Sequence, residues 1–311
     1  MDLLAAMRVF ARVADLGSFT AAAEALGLSR AMASTQVAAL EKHFRVRLLN
    51  RTTRKVALTS EGARFLEHCR RVFAEIQVAE DELSGARERP SGRLTVDVPG
   101  AFGRHLLMPA LPEFLARYPE LTLDVRISDR VADLVAEQVD VAVRGGTITD
   151  PNLVVRRAVG SRWITCASPA YLDRRGWPQS PDDLAAHDLI GYRSAGAPQG
   201  RGWVFQDGQR QASIAPAFRA TCDSPEALLV AAASGAGIIQ TMDLLAARPL
   251  QQRELVVLLP GTAVRGPPVS VVYPQAGQRL AKVRVFTEFT IALLRGRQRH
   301  VATSTGLMDP P

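Results

Sequence analysis

The sequence predicts an α/β protein with an N-terminal winged helix-turn-helix, a long linker helix and a larger domain of mixed strands and helices. Three helical segments follow one another near the N-terminus, the second and third of them with a capping residue. A basic stretch without acidic residues comes directly after them. From Arg93 onward, short apolar strands alternate with helices in a βαβαβ order. That order implies a parallel sheet with right-handed crossovers.

Capping residues separate the three N-terminal helices. Apolar residues repeat at helical spacing over residues 3–15, and Gly17 ends this first helix. We expect Thr20 to cap the second helix, with Gly27 following it in a left-handed conformation. Ser29 is then placed to cap the third helix.

The third helix has two different faces. The face that we expect to be buried carries Ala33, Val37 and Leu40. The opposite face carries Ala31, Ser34, Thr35 and Ala38. A solvated helix usually has Lys and Glu on its outer face, so these small and polar residues predict a helix that lies close against another molecule.

A basic stretch at residues 42–56 follows the third helix and holds six Lys and Arg residues but no Asp or Glu. Strand-like pieces flank the turn at residues 51–55, so we expect a β-wing. Residues 1–59 contain nine basic and four acidic residues, within a chain whose net charge is +7. This concentration of positive charge favours double-stranded DNA as the partner. A three-helix bundle that binds a protein would share the helices but leaves the basic wing unexplained.

A long helix is predicted from Thr59 to about Arg87. Its apolar residues recur every three or four positions at Leu66, Cys69, Phe73, Ile76 and Leu83. So narrow a stripe is typical of a helix that packs against a partner helix. The chain is therefore expected to form a homodimer or a homotetramer.

The remaining chain alternates strands at residues 94–98, 121–127 and 139–143 with helices at 106–117 and 131–137, and its last predicted helix covers 283–294. The predicted boundaries are 1–58 for the winged helix-turn-helix, 59–88 for the linker helix, 89–92 for a hinge and 93–294 for the larger domain. The polar tail at 295–311 is expected to be disordered.

Several motifs resemble those of LysR-type transcriptional regulators. They are FTAAAEALGLS at residues 19–29, ALE at 39–41, VRLLNRTTR at 46–54, LTSEG at 58–62, DVAVR at 140–144, CASPAYL at 166–172 and ASGAGI at 233–238. The resemblance covers about residues 2–294. It implies a winged helix-turn-helix, a dimerising linker helix and a periplasmic-binding-protein-like (type 2) effector domain. That domain would have two α/β lobes with a cleft for a small molecule between them.

The expected DNA contacts lie on the helices and in the wing. The candidate residues are Thr20, Ser29, Arg30, Ala31, Ser34, Thr35, Gln36, Arg51, Arg54 and Lys55. We expect the third helix to enter the major groove of an operator and the wing to reach backbone phosphate. The family usually has a basic residue where this chain has Thr35, so that phosphate contact is either lost or replaced by Arg30.

The resemblance places effector contacts in the turn after the first strand of the larger domain, here Gly100, Ala101 and Phe102. The helix after this turn offers N-terminal N–H groups that suit a carboxylate. Further candidates lie near strand ends, where α/β sheets bind ligands, and are Gly145, Gly146, Thr147, Arg193, Ser194, Cys222 and Asp223. Each also has a structural interpretation as a turn residue or a cap. The expected effector is an organic acid or an aromatic compound.

An enzyme and a solute-binding protein are the alternative classes. The five histidines lack metal-ligand spacing, and no Gly-x-Ser-x-Gly motif or phosphate-binding glycine loop is present. Asp223, Ser224 and His187 have no sequence context that supports a catalytic triad. A solute-binding protein would carry a signal peptide and lack the helix-turn-helix. We therefore predict a regulator that is not an enzyme and uses no cofactor or metal.

Cysteine use and hydropathy set the expected compartment. Cys69, Cys166 and Cys222 lie far apart, which argues against a disulfide framework and a zinc site. The first two are expected to be packing residues, whereas a redox role for Cys222 stays open. Neither a signal peptide nor an apolar run of 18 residues is visible. No membrane contact and a cytoplasmic location are therefore expected.

Overall fold

The computed structural model describes residues 2–51, 56–83, 90–194, 197, 199–208 and 210–305. The chain divides into two compact units, Met1–Glu88 and Arg89–Pro311, and each is considered by itself. No helix among the described residues is long and apolar enough to cross a membrane.

The first unit is a helical bundle with a two-stranded hairpin. Its elements are α1 (Leu3–Leu16), α2 (Phe19–Ala25), α3 (Arg30–Phe44), β1 (Leu49–Arg51), β2 (Val56–Leu58) and α4 (Ser60–Leu83). Gly17 has φ +59° after α1, and Ser29 accepts a hydrogen bond from the backbone N–H of Met32 at 3.1 Å, so both predicted helix boundaries are confirmed. The antiparallel pairing of β1 with β2 confirms the wing. The turn residues 52–55 lie outside the described residues.

The expected cap of α2 is wrong by two residues. Ser18 is the capping residue, and its hydroxyl oxygen accepts a hydrogen bond from the backbone N–H of Ala21 at 3.3 Å. Thr20 lies inside the helix and is exposed. Both residues carry a hydroxyl group, but only Ser18 has the extended backbone that a capping residue needs.

The linker helix α4 already packs within its own unit. Leu66 and Cys69 are buried in the same core as Phe10, Val37 and Leu40. Phe73 also packs against this core. The expectation that the whole stripe is covered only by a partner helix is therefore wrong, because α1 and α3 cover its N-terminal part.

The second unit contains ten helical and thirteen strand elements among its described residues. The strands are β3 (Gly92–Val98), β4 (Leu121–Ile127), β5 (Val141–Gly145), β6 (Leu153–Val159), β7 (Arg162–Ala167), β8 (Ile190–Tyr192), β9 (Trp203–Asp207), β10 (Arg210–Ile214), β11 (Ala220–Cys222), β12 (Ile239–Met242), β13 (Val256–Leu258), β14 (Val264–Arg265) and β15 (Val269–Pro274). The α-helices are α5 (Gly100–Phe102), α6 (Met108–Arg117), α7 (Pro169–Arg175), α8 (Pro225–Ala233), α9 (Asp243–Gln251) and α10 (Ala281–Thr305). A π-helical stretch (Gly103–Leu107) joins α5 to α6, and three 3₁₀ helices (Pro181–Ala186, Pro260–Thr262 and Gln275–Gly277) complete the set.

These elements form two lobes. The first lobe has a five-stranded sheet in the order β4-β3-β5-β15-β6, in which β3 is parallel to both β4 and β5. The second lobe is built on β7, which pairs with β12, β13 and β14, and includes the parallel pair β8 and β11. The chain enters the second lobe after β6 and returns at β15. Helix α10 then packs on the first sheet and against α9 of the second lobe.

Three predictions about this unit are wrong. The expected helix at residues 131–137 is a series of turns, because the Asp133 carboxylate accepts hydrogen bonds from the backbone N–H groups of Val135 and Ala136. The expected turn at residues 100–103 is already helical. A Cβ at Gly103 would lie 3.0 Å from the side chain of Ile127, so a larger residue there would crowd this side chain. In addition, the expected hinge residue Gly92 begins β3.

The expected disordered tail is also wrong over residues 295–305, where α10 continues as a helix to Thr305. Its polar residues bond to the backbone of the first lobe, since the Gln298 amide donates to the carbonyl oxygen of Gly160 at 3.4 Å. Arg295 donates likewise to Ala158 at 3.4 Å. Residues 306–311 lie outside the described residues.

Candidate DNA interface and effector cavity

Helix α3 presents small and polar groups to solvent. Arg30, Ala31 and Thr35 are exposed, whereas Ser34 and Gln36 are half-buried. The Thr35 hydroxyl donates to the carbonyl oxygen of Ala31 at 2.9 Å, so its hydrogen-bonding capacity is partly used within the helix. Arg30 is therefore the charged side chain on the outer face of the first turn.

Met32 is a residue of this face that the sequence analysis missed. Its side chain is 51% exposed beside Arg30, although apolar side chains of this size are usually covered. The spacing of apolar residues along α3 was the available signal, because Met32 falls outside the buried stripe of Ala33, Val37 and Leu40.

Two motif residues fix the wing to the helices. The Glu41 carboxylate accepts hydrogen bonds from the backbone N–H groups of Leu48 and Leu49, at 2.9 and 3.1 Å. Thr59 caps α4 by accepting from the N–H of Gly62 at 2.9 Å, and its hydroxyl donates to the carbonyl oxygen of Arg47 at 2.8 Å. These side chains therefore position the wing.

Gly62 allows α4 to lie against β1. A Cβ added at this position would lie only 2.0 Å from the carbonyl oxygen of Leu48, a backbone atom that cannot move aside. The motif at residues 58–62 is thus explained by close packing within the unit.

The basic side chains near the wing face outward. Arg30, Arg45 and Arg47 are exposed, and none of them forms an ion pair with another described residue. Their charges are available to an external polyanion. Of the wing candidates, Arg51 is placed by its backbone in β1, while Arg54 and Lys55 lie outside the described residues.

A cavity of about 720 Å³ separates the two lobes of the second unit. The predicted residues Ala101, Phe102 and Gly145 line it from the first lobe. Trp163 and Tyr192 line it from the second lobe, together with Gln240 and Thr241 of β12. None of these second-lobe residues was predicted from the sequence, because only the fold brings β7, β8 and β12 to the cavity.

The start of α5 is occupied by a carboxylate of the chain itself. The backbone N–H of Gly100 donates to Asp129 Oδ1 at 2.9 Å. The other carboxylate oxygen of Asp129 accepts a hydrogen bond from the Ser224 hydroxyl at 2.9 Å. Asp129 therefore fills the position expected for an anionic effector and also joins the two lobes. Its place directly after β4, at the carboxyl end of a strand, was the signal that could have identified it.

A second set of polar contacts crosses between the lobes. Arg104 and His105 of the first lobe both contact the carboxylate of Glu226 in α8. Arg248 Nη1 lies 3.1 Å from His105 Nδ1, and because an arginine can only donate, Nδ1 is the acceptor. The proton of a neutral His105 is then on Nε2, which donates to Glu226 Oε1 at 3.1 Å. The hydrogen bond from Arg104 is the main reason why the pKa of Glu226 lies below its ordinary value.

An arginine covers one face of the tryptophan in the cavity wall. The guanidinium carbon of Arg201 lies 3.6 Å from the centre of the Trp163 ring, a cation–π geometry. Arg201 also donates a hydrogen bond to Gln240 Oε1 at 3.0 Å. Burial lowers the pKa of Arg201 to about 10, so the side chain stays charged at neutral pH.

The other effector candidates have local partners instead of lining the cavity. Arg193 forms an exposed ion pair with Asp223 at 3.4 Å, and the N–H of Gly146, at φ +115°, donates to the carbonyl oxygen of Pro268. Gly100 is buried beside the cavity, and Thr147 and Ser194 are exposed. The Cys222 thiol lies 3.6 Å from the carbonyl oxygen of Ser224.

The cysteines are protonated at neutral pH. Burial raises the pKa of Cys69 and of Cys166 to about 12, in agreement with their expected packing role. Burial also raises the pKa of Cys222, which lowers its thiolate fraction and argues against a redox role.

Comparison with known proteins agrees with both units. Residues 4–63 match the model described as "Bacterial regulatory helix-turn-helix protein, lysR family", and residues 87–295 match "LysR substrate binding domain". The chain belongs to the LysR family. This LysR-type protein is a DNA-binding transcriptional regulator with an effector-binding domain, and it is not an enzyme.

Relatives resemble this LysR-type regulator along nearly the whole chain. The HTH-type transcriptional repressor PA14_22550 of Pseudomonas aeruginosa is 34% identical over 293 residues, which are 94% of this chain and 92% of the relative. The HTH-type transcriptional activator AaeR of Escherichia coli is 30% identical over 285 residues, 92% of each chain. The structure of CrgA from Neisseria meningitidis is 34% identical, covers 93% of this chain and 98% of its own, and has a TM-score of 0.60.

Proposed function

We propose that this LysR-type regulator acts in the cytoplasm as a homodimer or homotetramer that binds a two-fold operator. A small molecule in the cavity between the lobes changes the contact with DNA. The observation that carries the proposal is a cavity of about 720 Å³ whose walls come from both lobes. A ligand that contacts both walls favours one relative arrangement of the lobes, and this preference is the source of regulation.

The proposed DNA contact uses the N-terminal part of α3 and the wing. Arg30, Ser34, Thr35 and Gln36 are nearest to the bases, and the wing contacts backbone phosphate. The wing candidate Arg54 lies outside the described residues and is tested by substitution. Replacing Arg54 by Ala should weaken binding to every sequence and reduce the salt dependence by about one unit of slope. Fluorescence anisotropy with an operator duplex and a random duplex, over a range of salt concentrations, measures both quantities. Unchanged affinity and slope would contradict the role of the wing.

The proposed protomer contact uses the part of α4 beyond the first unit's core. Val72 is 41% exposed and Ile76 is half-buried, whereas Phe73 packs inward. Val72→Asp is therefore a cleaner test than Phe73→Asp, which would also damage the core. We expect Val72→Asp to shift the protein toward monomer in sedimentation experiments, with Glu75→Asp as a control that keeps the charge. A variant that stays fully dimeric would place the interface elsewhere.

The effector proposal is tested by filling the cavity. A Cβ at Gly145 meets only the methyl group of Met242, at 4.0 Å, so Gly145→Leu should fold and place its side chain beside the cavity wall. The matched control is Gly261→Leu, where an added Cβ has no neighbour within 4 Å and which lies outside the cavity.

The measurement is the operator affinity with and without benzoate, phenylacetate or octanoate as ligands. We expect a compound that changes the affinity of the wild type and of Gly261→Leu to have no effect on Gly145→Leu. Operator binding without ligand should be equal in all three proteins. A full response of Gly145→Leu would show that the effector acts at another place.

A further inference from the structure

Two arginines line the cavity from opposite lobes. Arg248 belongs to α9 in the second lobe, and Arg297 belongs to α10 in the first lobe. Burial lowers the pKa of Arg297, and the positive charge of Arg248 lowers it further. Helices α9 and α10 pack against each other, and both side chains face the same cavity, so the two positive charges repel each other across the lobe boundary.

Neither arginine has an anionic partner among the described residues. Arg297 Nε is buried and has no hydrogen-bond acceptor there. Arg248 donates to Gln252 Oε1 at 3.1 Å and to His105 Nδ1 at 3.1 Å, and neither acceptor is a carboxylate. A buried cationic donor without a partner costs free energy, and proteins usually satisfy such groups.

The other arginines on the cavity wall each have a carboxylate partner. Arg144 is paired with Asp97, a residue of β3. Arg130 forms hydrogen bonds to the carboxylate of Glu137, one of them at 2.7 Å. Arg297 departs from this pattern, although it faces the same cavity.

The surroundings of the two arginines are apolar. Leu245 and Pro249 of α9 and Leu294 of α10 line the cavity together with them. An inorganic ion would leave these side chains unused, whereas an organic anion has an apolar part that they can cover. The start of α5 is not available for the anionic group, because Asp129 already accepts from Gly100 there.

We propose that Arg248 and Arg297 bind the oxyanion group of an organic acid, whose apolar part lies against Leu245, Pro249 and Leu294. The proposal rests on the effector role of the cavity and names the chemical class of the effector. Bound between the two guanidinium groups, the anion replaces a repulsion between the lobes by attraction to both. It therefore favours the arrangement in which α9 and α10 are close.

The test uses the full-length regulator at constant ionic strength. Binding of octanoate and benzoate is measured by calorimetry and thermal unfolding, with octan-1-ol and benzyl alcohol as uncharged counterparts and inorganic phosphate as a bare oxyanion. The variants are Arg248→Gln and Arg297→Gln. Arg295→Gln is the control, because it removes one charge from the same helix but does not line the cavity.

We expect at least one carboxylate to bind the wild type more tightly than its alcohol counterpart. Each cavity variant should weaken this binding tenfold or more, which corresponds to about 1.4 kcal/mol, and Arg295→Gln should change it less than twofold. Without ligand, Arg297→Gln should unfold at a higher temperature than the wild type, because the repulsion and the unsatisfied donor are removed. If Arg297 only stabilised the fold, Arg297→Gln would instead unfold at a lower temperature than the wild type.

Several results would overturn the proposal. The site is wrong if no carboxylate binds better than its alcohol, or if Arg297→Gln keeps the full affinity. Equal affinity for phosphate and octanoate would contradict the proposed contact of an apolar part with Leu245, Pro249 and Leu294. If a carboxylate binds through Arg297 but leaves operator affinity unchanged, the site is supported and the proposed effector role of the cavity fails.

Discussion

Two sets of arginines, one near the wing of the first unit and one on the cavity wall of the second unit, differ in their partners. In the first unit, Arg30, Arg45 and Arg47 are exposed and form no ion pair with another described residue. In the second unit, two of the four arginines that line the cavity are held by a carboxylate, Arg144 by Asp97 and Arg130 by Glu137. Charge that serves an external partner is left open, whereas charge that serves the fold is neutralised. Substitution of an unpaired arginine should therefore weaken binding, whereas substitution of a paired arginine should lower stability.

The largest effect is expected at the buried ion pair of the second unit. The side chains of Arg144 and Asp97 are only 8% and 3% exposed. Arg144→Ala leaves the Asp97 carboxylate buried without its partner, and such a loss typically costs about 3–5 kcal/mol. Urea unfolding of the wild type and the variant measures the change.

The control is the double variant Arg144→Ala with Asp97→Ala, which removes both charges. It should recover part of the lost stability, because no uncompensated charge remains in it. If the single and the double variants were equally unstable, packing rather than charge would explain the effect.

The next effect is expected in the first unit, at Glu41 of the motif at residues 39–41. Glu41→Ala leaves the backbone N–H groups of Leu48 and Leu49 without their acceptor. A hydrogen bond to a charged group contributes about 1.5–3 kcal/mol, so the free energy of unfolding should fall by at least that amount. Thermal unfolding reports the loss, and operator binding should weaken as the wing loosens. Glu24→Ala on the exposed surface of α2 is the control. An equal loss of stability in that variant would contradict the argument that the hydrogen bonds of Glu41 hold the wing.

A smaller free-energy change, and one confined to binding, is expected at Arg30. The side chain is exposed and its charge is not used by the fold, so Arg30→Ala should leave the unfolding temperature unchanged. Operator affinity should fall about tenfold, or ~1.4 kcal/mol, and the salt slope should decrease by about one unit. Arg117→Ala on the exposed surface of α6 should change neither quantity. Loss of stability in Arg30→Ala with an unchanged salt slope would contradict the distinction between the two sets of arginines.

The sequence predicted those features whose contacts join residues close together in the chain. Caps such as Ser29 were predictable because their hydrogen bonds join residues three positions apart. The failure at Thr20 was also local, since two hydroxyl residues competed for one cap and the backbone conformation decided between them. The helix that we propose to contact DNA could therefore be located from its residues alone.

The cavity was predictable only in part. Gly145 was found because a strand end is a local feature, but Asp129 and Ser224 are 95 positions apart and meet only in the fold. Arg248 and Arg297 reach the same cavity only because α10 packs against α9, and Pro249 interrupts the sequence pattern of α9. Contacts of this kind are set by tertiary packing, which a single sequence does not reveal.

The smallest effect is expected at the contact between lobes, where Glu226 accepts from Arg104 and is 20% exposed. Because Arg104 holds the pKa of Glu226 below its ordinary value, the ionised carboxylate stabilises the folded state. This contribution is complete above the ordinary glutamate pKa, about 4.3, and is lost as the pH falls through the folded value. Glu226→Gln should therefore lower the unfolding temperature slightly at pH 7, and the difference from the wild type should shrink below pH 4. Glu113→Gln, which changes an exposed residue of α6, serves as the control. A difference that stays constant from pH 7 to pH 3 would mean that the Glu226 side chain acts through its shape and not through its charge.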